Sequence, residues 1–247
     1  MDQTAVEKLA DMIQASSYTV FFGGAGVSTE SGVPDFRSQS GIYTQEIGAE
    51  RILTPGFMLS QSERFFEFNR KYFSLKGIKP NPCHKVLAAM EEQGLLQSII
   101  TQNIDGLHQD AGSKRVWELH GSSRRHYCIQ CHHSYSQAEV DKMGALPSCP
   151  ECGGLVRPDI VLYEEGLDRD VLQGAIEDIT KAQLLIIGGT SLNVYPAAGL
   201  VHYLRPGAKI VIINMDDTYL DDRVDLVIHD KIGQVFSQMA AILGLNY

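Results

Sequence analysis

Apolar residues fall along this 247-residue chain in two rhythms. Short apolar runs of strand length recur at 18–22, 97–101, 115–119, 184–188, 209–213 and 225–228. Between several of them the spacing changes to three and four residues, over 83–93, 168–180 and 231–243, which predicts helices. In the last of these, Ile232, Val235, Phe236, Met239 and Ile242 share a face. The opening MDQTAVEKLADMIQAS predicts a further amphipathic helix, with Val6, Leu9, Ala10 and Ile13 on one side and Thr4 and Glu7 at capping-box spacing. Strands alternating with helices predict an α/β domain built on a parallel sheet with helices on both faces.

Two regions break the alternation. Residues 37–75 contain the aromatic helical segment RFFEFNRKYF, and residues 123–154 hold four cysteines and few core-sized apolar residues. Both read as excursions from one sheet. The expected organisation is a Rossmann-like domain in 1–36, 76–122 and 155–247, with a smaller inserted domain made of a helical module (37–75) and a zinc-ribbon module (123–154).

The overall charge narrows the partners. With 21 basic and 30 acidic residues the formal charge is −9, which argues against a general phosphate-backbone binder. Arg124-Arg125-His126 is a small basic cluster that reads as a solvated edge. No apolar stretch has membrane-spanning length, and the acidic, polar N-terminus does not resemble a signal peptide. A cytoplasmic location without membrane or nucleic-acid partners is expected.

Four of the five cysteines form two pairs, Cys128-x2-Cys131 and Cys149-x2-Cys152, separated by 17 residues. Two thiolate pairs on tight turns can converge on one tetrahedral zinc ion, and four thiolates leave no position for water. The metal is therefore expected to be structural, with His132 and His133 outside its shell. Cys83, alone, reads as a small packing residue.

Polar residues gather where strands end. Gly24 and Gly26 follow the first run and suggest a phosphate loop, although Thr29 stands where the dinucleotide fingerprint wants a third glycine. Gln102, Asn103 and Asp105 follow the second run, His120-Gly121 the third, GGTSLNVYP the next, and Asn214 the one after. Ligands of open parallel sheets bind at these carboxyl ends, so the pattern describes one long crevice with a histidine near its middle.

In this order, GAGVSTESGVPDFRS, TQNIDGLH, the HG pair, the paired CxxC motifs, GTSLNVYP and Asn214 resemble the sirtuin family of NAD-dependent protein-lysine deacylases, bacterial-type members in particular. The resemblance implies that Gly24, Ala25 and Gly26 hold the NAD pyrophosphate, with Glu30 and Ile232 also at the cofactor. Asp35, Phe36 and Arg37 would belong to a mobile cofactor loop, with Phe36 shielding the reacting ribose. Gln102 and Asn103 would contact the nicotinamide-side ribose, Ile104 and Asp105 the carboxamide pocket, Gly189, Thr190 and Ser191 the phosphates, and Asn214 the adenosine ribose. Acetylated proteins would lie along Val161, Tyr163, Asn193 and Val194.

On that resemblance NAD is consumed, giving nicotinamide, 2'-O-acetyl-ADP-ribose and free lysine. His120 would be the general base and Asn103 its partner in catalysis. A mono-ADP-ribosyltransferase using the same site is the alternative. The sequence departs from the family pattern twice: Gly23 stands where threonine is common, and Tyr163-Glu164-Glu165 replaces the frequent Phe-Gly-Glu. Sirtuins that prefer succinyl-lysine or malonyl-lysine carry a tyrosine and an arginine where this chain has Phe66 and Asn69, so a neutral acyl pocket is expected. Arg70, one residue on and turned by about 100° on a helix, should point away.

Overall fold

The structure, a computed structural model, describes residues 2–39, 41–75 and 77–247. Its strands in chain order are β1 (Thr19–Gly23), β2 (Ser98–Thr101), β3 (Val116–Glu118), β4 (Gly121–Cys128), β5 (Ser134–Ser136), β6 (Val156–Ile160), β7 (Leu184–Gly188), β8 (Lys209–Ile213) and β9 (Leu226–Ile228). Six form a parallel sheet in the order β3-β2-β1-β7-β8-β9, and β5-β4-β6 form a separate antiparallel sheet.

The unbroken apolar runs are explained by burial on both sides. Alternate residues of each central strand face opposite layers. Phe21, Ile99, Ile186 and Val211 pack under the helices Gln3–Ala15, Pro82–Glu92 and Ile232–Leu243. Phe22, Ile100, Ile187 and Ile212 pack under Arg169–Lys181 and the short 3-10 helix Ala197–Tyr203.

Two details of these helices differ from expectation. The first helix is capped by Asp2, whose carboxylate accepts from the Thr4 amide (3.0 Å). Glu7 instead takes a bond from the Gln3 side chain (3.2 Å), one turn earlier. Asp2, two residues before Thr4, takes the cap because its oxygen reaches one of the first orphan amides. At the other end of the chain Ile242 is 42% exposed, and Ala240 and Leu245 occupy the buried side instead. The stripe drifts because 3.6 residues per turn do not repeat over three turns.

One polar knot fixes the edge strand β3. Asp178, fully buried on the helix Arg169–Lys181, accepts from Tyr18 Oη (2.8 Å), Arg115 Nε and Nη2 (3.0 and 2.7 Å) and Trp117 Nε1 (2.7 Å). Four donors on one carboxylate remove the cost of burying the charge. The Trp117 ring lies over Gly174, where an added Cβ would meet it at 2.3 Å.

The aromatic segment forms the helix Ser62–Phe73, and its rings build a third core with Ile42, Met58, Ile160 and Leu162. Arg124 and Arg125 are exposed, as a solvated edge would be, but both are paired. Arg124 forks onto Asp110 (2.6 and 2.6 Å) at the end of the short helix Leu107–Asp110, and Arg125 reaches Glu118 on β3 (2.6 Å) and Asp159 on β6 (3.0 Å).

Candidate active site

The chain winds from β1 toward β2 and β3, then returns to the other side of β1 with β7. Loops leaving β1 and β7 therefore diverge from a shared edge, the position at which parallel sheets open a ligand crevice. The two loops meet through bare backbone. The amide of Gly24 donates to Gly188 O (3.1 Å) and that of Gly26 to Gly189 O (2.8 Å). A Cβ on Gly26 would lie 2.8 Å from Gly189 Cα, and one on Gly189, whose φ is +58°, would lie 2.3 Å from Val27 N. Thr29, in place of a third glycine, donates from its hydroxyl to Gly26 O (2.9 Å) and closes the same turn. At Gly23 a Cβ would meet the Phe21 ring at 2.7 Å. The phenyl group fills the space a side chain at 23 would need.

The crevice is a cleft of about 730 Å³, within the usual range for small-molecule sites. Gly24, Ala25, Gly26, Glu30, Asp35, Phe36 and Arg37 line it from the β1 side, and Gln102, Asn103, Ile104, Asp105 and His120 line its floor. Gly189, Thr190, Ser191 and Asn214 line it from the adjoining β7 and β8 ends, Ile232 from the start of the last helix, and Val161, Tyr163 and Val194 line its mouth. Asn193 is not among the lining residues, because the loop turns it outward between Leu192 (φ +56°) and Val194. Within this arrangement Gln102 Nε2 donates to Thr190 Oγ1 (3.0 Å), bridging two strand ends. Glu30 accepts from the Gly233 amide (2.7 Å), at the positive end of the last helix.

His120 Nδ1 lies 2.9 Å from Gln102 O. A carbonyl only accepts, so Nδ1 carries the proton and the neutral ring keeps a free lone pair on Nε2. Burial lowers the His120 pKa from its ordinary value, against the raising effect of that carbonyl, and the ring stays neutral at neutral pH. The following glycine is obligatory: Gly121 has φ +73°, and a Cβ there would lie 2.1 Å from Asp159 O.

Under the floor lies a network that the sequence reading missed. Ser28 Oγ donates to Asp105 Oδ2 (2.7 Å) and accepts from Asn103 Nδ2 (3.1 Å), with His84 Nε2 3.4 Å away. His84 Nδ1 accepts from the Asn81 amide (3.3 Å), so its proton sits on Nε2. Burial pushes the His84 pKa down to about 4 and raises that of Asp105. The available signals were a serine two residues beyond the glycine pair and a histidine in the first turn after Pro82.

The mouth is held by side chains. Asp35 caps the amides of Arg37 (3.0 Å) and Ser38 (2.8 Å), and Phe36 packs on Tyr43 and Phe73. The Tyr43 and Tyr163 hydroxyls hydrogen-bond to each other across the cleft, and burial raises the Tyr43 pKa. Beyond β6 the Tyr163 amide donates to Leu53 O (2.9 Å), and Arg157 grips Glu165 at 2.5 and 3.0 Å. Glu164 between them has φ +74°. Arg70 donates to Ala145 O (2.7 Å), away from the cleft as expected, and its partner lies in the cysteine module.

In that module the four thiol sulfurs lie within 4.8 Å of one another, with Cys128–Cys152 at 3.5 Å and Cys131–Cys149 at 3.6 Å. A tetrahedron with bonds of about 2.3 Å puts sulfurs about 3.8 Å apart. A disulfide would need about 2.05 Å. Both turns repeat one hydrogen bond, His132 N to Cys128 O (3.0 Å) and Gly153 N to Cys149 O (2.9 Å), with positive φ at both donors. The four thiols fit one structural zinc. His133 pairs with Glu151 (3.2 Å), outside the cluster. Cys83 is fully buried among apolar side chains.

The family pattern described as the Sir2 family matches residues 24–196. The chain belongs to the Sir2 family. Among curated members, the NAD-dependent protein deacetylase of Clostridium perfringens is 49% identical over 238 residues, covering 95% of this chain and 98% of its own. That of Thermotoga maritima is 42% identical, covering 88% and 89%. Among solved structures, a Sir2 complex with a p53 peptide and NAD+ superposes with a TM-score of 0.88 at 39% identity, covering 97% and 98%. A Sir2 histidine-to-alanine variant with a deacetylated p53 peptide and 3'-O-acetyl ADP ribose gives a TM-score of 0.92 at 38% identity, covering 98% and 99%.

Proposed function

We propose that this chain is an NAD-dependent protein deacetylase that removes acetyl groups from lysine side chains. The observation that carries the reading is His120: a neutral imidazole with its free Nε2 in the cleft, between the glycine-loop end and the mouth lined by Val161 and Tyr163. NAD, when bound, supplies an electrophilic ribose carbon on departure of nicotinamide. Gly24, Ala25, Gly26, Gly189, Thr190 and Ser191 would hold its phosphates and Asn214 the adenosine ribose. Ser28 pins Asn103 and Asp105, which would orient the nicotinamide side, and His120 would accept a proton from a ribose hydroxyl at its free Nε2. The peptide would lie extended beside 161–163 and Val194, with backbone hydrogen bonds supplying much of the affinity.

Four thiols committed to a metal suit a reducing compartment, which supports a cytoplasmic location. No helix among the described residues is long and apolar enough to cross a membrane. The test is purified protein with NAD and an acetyl-lysine peptide, followed by mass. Nicotinamide, O-acetyl-ADP-ribose and free lysine are expected in equal amounts. ADP-ribose attached to protein, with the acetyl group retained on the peptide, overturns the reading.

A further inference from the structure

The turn after β6 carries two glutamates with opposite circumstances. Glu165 is engaged: it holds Arg157 through both oxygens and accepts from the Leu162 amide (2.8 Å). Glu164 makes no hydrogen bond or ion pair among the described residues and is exposed. It nevertheless lines the mouth of the cleft beside Tyr163. Its φ of +74° is a left-handed conformation that glycine adopts freely and a β-carbon disfavours. The turn cannot relax, because the Tyr163 amide is tied to Leu53 O (2.9 Å) on one side and Glu165 to Arg157 on the other. The chain thus keeps an unpartnered carboxylate in a strained position at the entrance.

The electrostatics of the entrance are one-sided. Among the described residues lining the cleft the Lys and Arg side chains are Arg37 and Lys231. Arg37 belongs to the loop after β1, with its guanidinium over the Tyr43 ring (5.7 Å), and Lys231 opens the last helix behind the glycine loops. Neither pairs with Glu164. An extended peptide beside residues 161–163 would carry its neighbouring side chains past the next residue of the turn.

We infer that Glu164 is a specificity-determining residue that selects acetyl-lysine substrates carrying Lys or Arg within two residues of the acetyl-lysine. The inference rests on the deacetylase reading and names its substrate class. An exposed charge pair shifts affinity only modestly and is screened by salt, so the selection acts mainly on KM.

The experiment uses one acetyl-lysine peptide with three flanks, basic, neutral and acidic, at low and high salt. The whole protein is assayed as wild type and as Glu164→Gln, Glu164→Gly and Glu164→Lys, each serving as its own control through the ratio of kcat/KM for basic over acidic flanks. The wild type should favour basic flanks by roughly 3- to 10-fold at low salt, mostly through KM, and less at high salt. Glu164→Gln and Glu164→Gly should bring the ratio close to one, and Glu164→Lys should invert it. Glutamine retains a β-carbon at the strained position and glycine does not, so equal losses assign the effect to charge. A ratio unmoved by all three substitutions overturns the inference. Failure of the wild type on the neutral-flanked peptide overturns the deacetylase reading itself, a result separate from any change in the ratio.

Discussion

Gly26 and Glu164 line one cleft for opposite reasons. Gly26 is there because nothing larger fits, with Gly189 Cα 2.8 Å from where a Cβ would stand. Glu164 is there although glycine would fit its backbone with less strain. The first wall is made of backbones in contact and leaves the chain no choice of residue. The second is made of rings, hydroxyls and charges at the solvent boundary, where substitutions change what is held without collapsing what holds it. A common co-substrate needs one geometry, whereas a family of peptide substrates needs a surface that can vary.

The largest expected effect comes from removing the metal that braces the second wall. The cysteine module hangs from β4 and β6, and β6 leads directly into 161–165. Chelation should abolish turnover together with a loss of ordered structure in residues 121–160, read by hydrogen exchange, while the six-stranded sheet remains protected. Loss of turnover with protection of the module unchanged would contradict a structural role.

At the junction of the walls, His120→Ala should reduce kcat by about 10²–10⁴-fold, with the melting profile kept. Because burial lowers the His120 pKa, the neutral base persists to lower pH than an ordinary histidine. The acid limb of kcat should therefore fall below the usual pH of about 6.5, as protonation removes the Nε2 lone pair. A limb above that value would exclude His120 as the titrating base.

A smaller contrast concerns the acyl group. The helix Ser62–Phe73 offers Phe66 buried in the aromatic core, and Arg70 is occupied by Ala145 O. A succinyl carboxylate entering without a cation would lose its hydration uncompensated. Acetylated peptide should exceed its succinylated version in kcat/KM by 10-fold or more, on the order of 1.4 kcal/mol per decade. Equal rates would mean that a cation reaches the pocket.

The smallest effect tests the strain alone. Glu164→Gly should raise stability by about 1 kcal/mol, measured by denaturant midpoint. A fall in stability would show that Glu164 holds its turn by a contact.

The sheet was legible because strands buried on both faces leave unbroken apolar runs, and each of the six runs lies within about a residue of a strand. The strand-end polar residues were legible for the same reason, since a parallel sheet sends all its carboxyl ends to one side. What escaped depends on distant partners. Nothing local to Arg124 announces Asp110, or to Tyr43 announces Tyr163, 120 residues away. Ser28 and His84 meet only because the helix Pro82–Glu92 packs under the first turn after β1. Asn193 stands exposed outside the cleft lining, after a left-handed Leu192 that leucine gives no reason to expect.

The knot around Asp178 makes the protein its own optical probe. The chain has a single tryptophan, and Trp117 is wedged over Gly174 with its indole N–H on a buried carboxylate. Intrinsic emission therefore comes from the edge of the six-stranded sheet, three residues before His120. Emission that holds steady while the cysteine module melts, then shifts red in a later step, would resolve two unfolding units in one untagged sample.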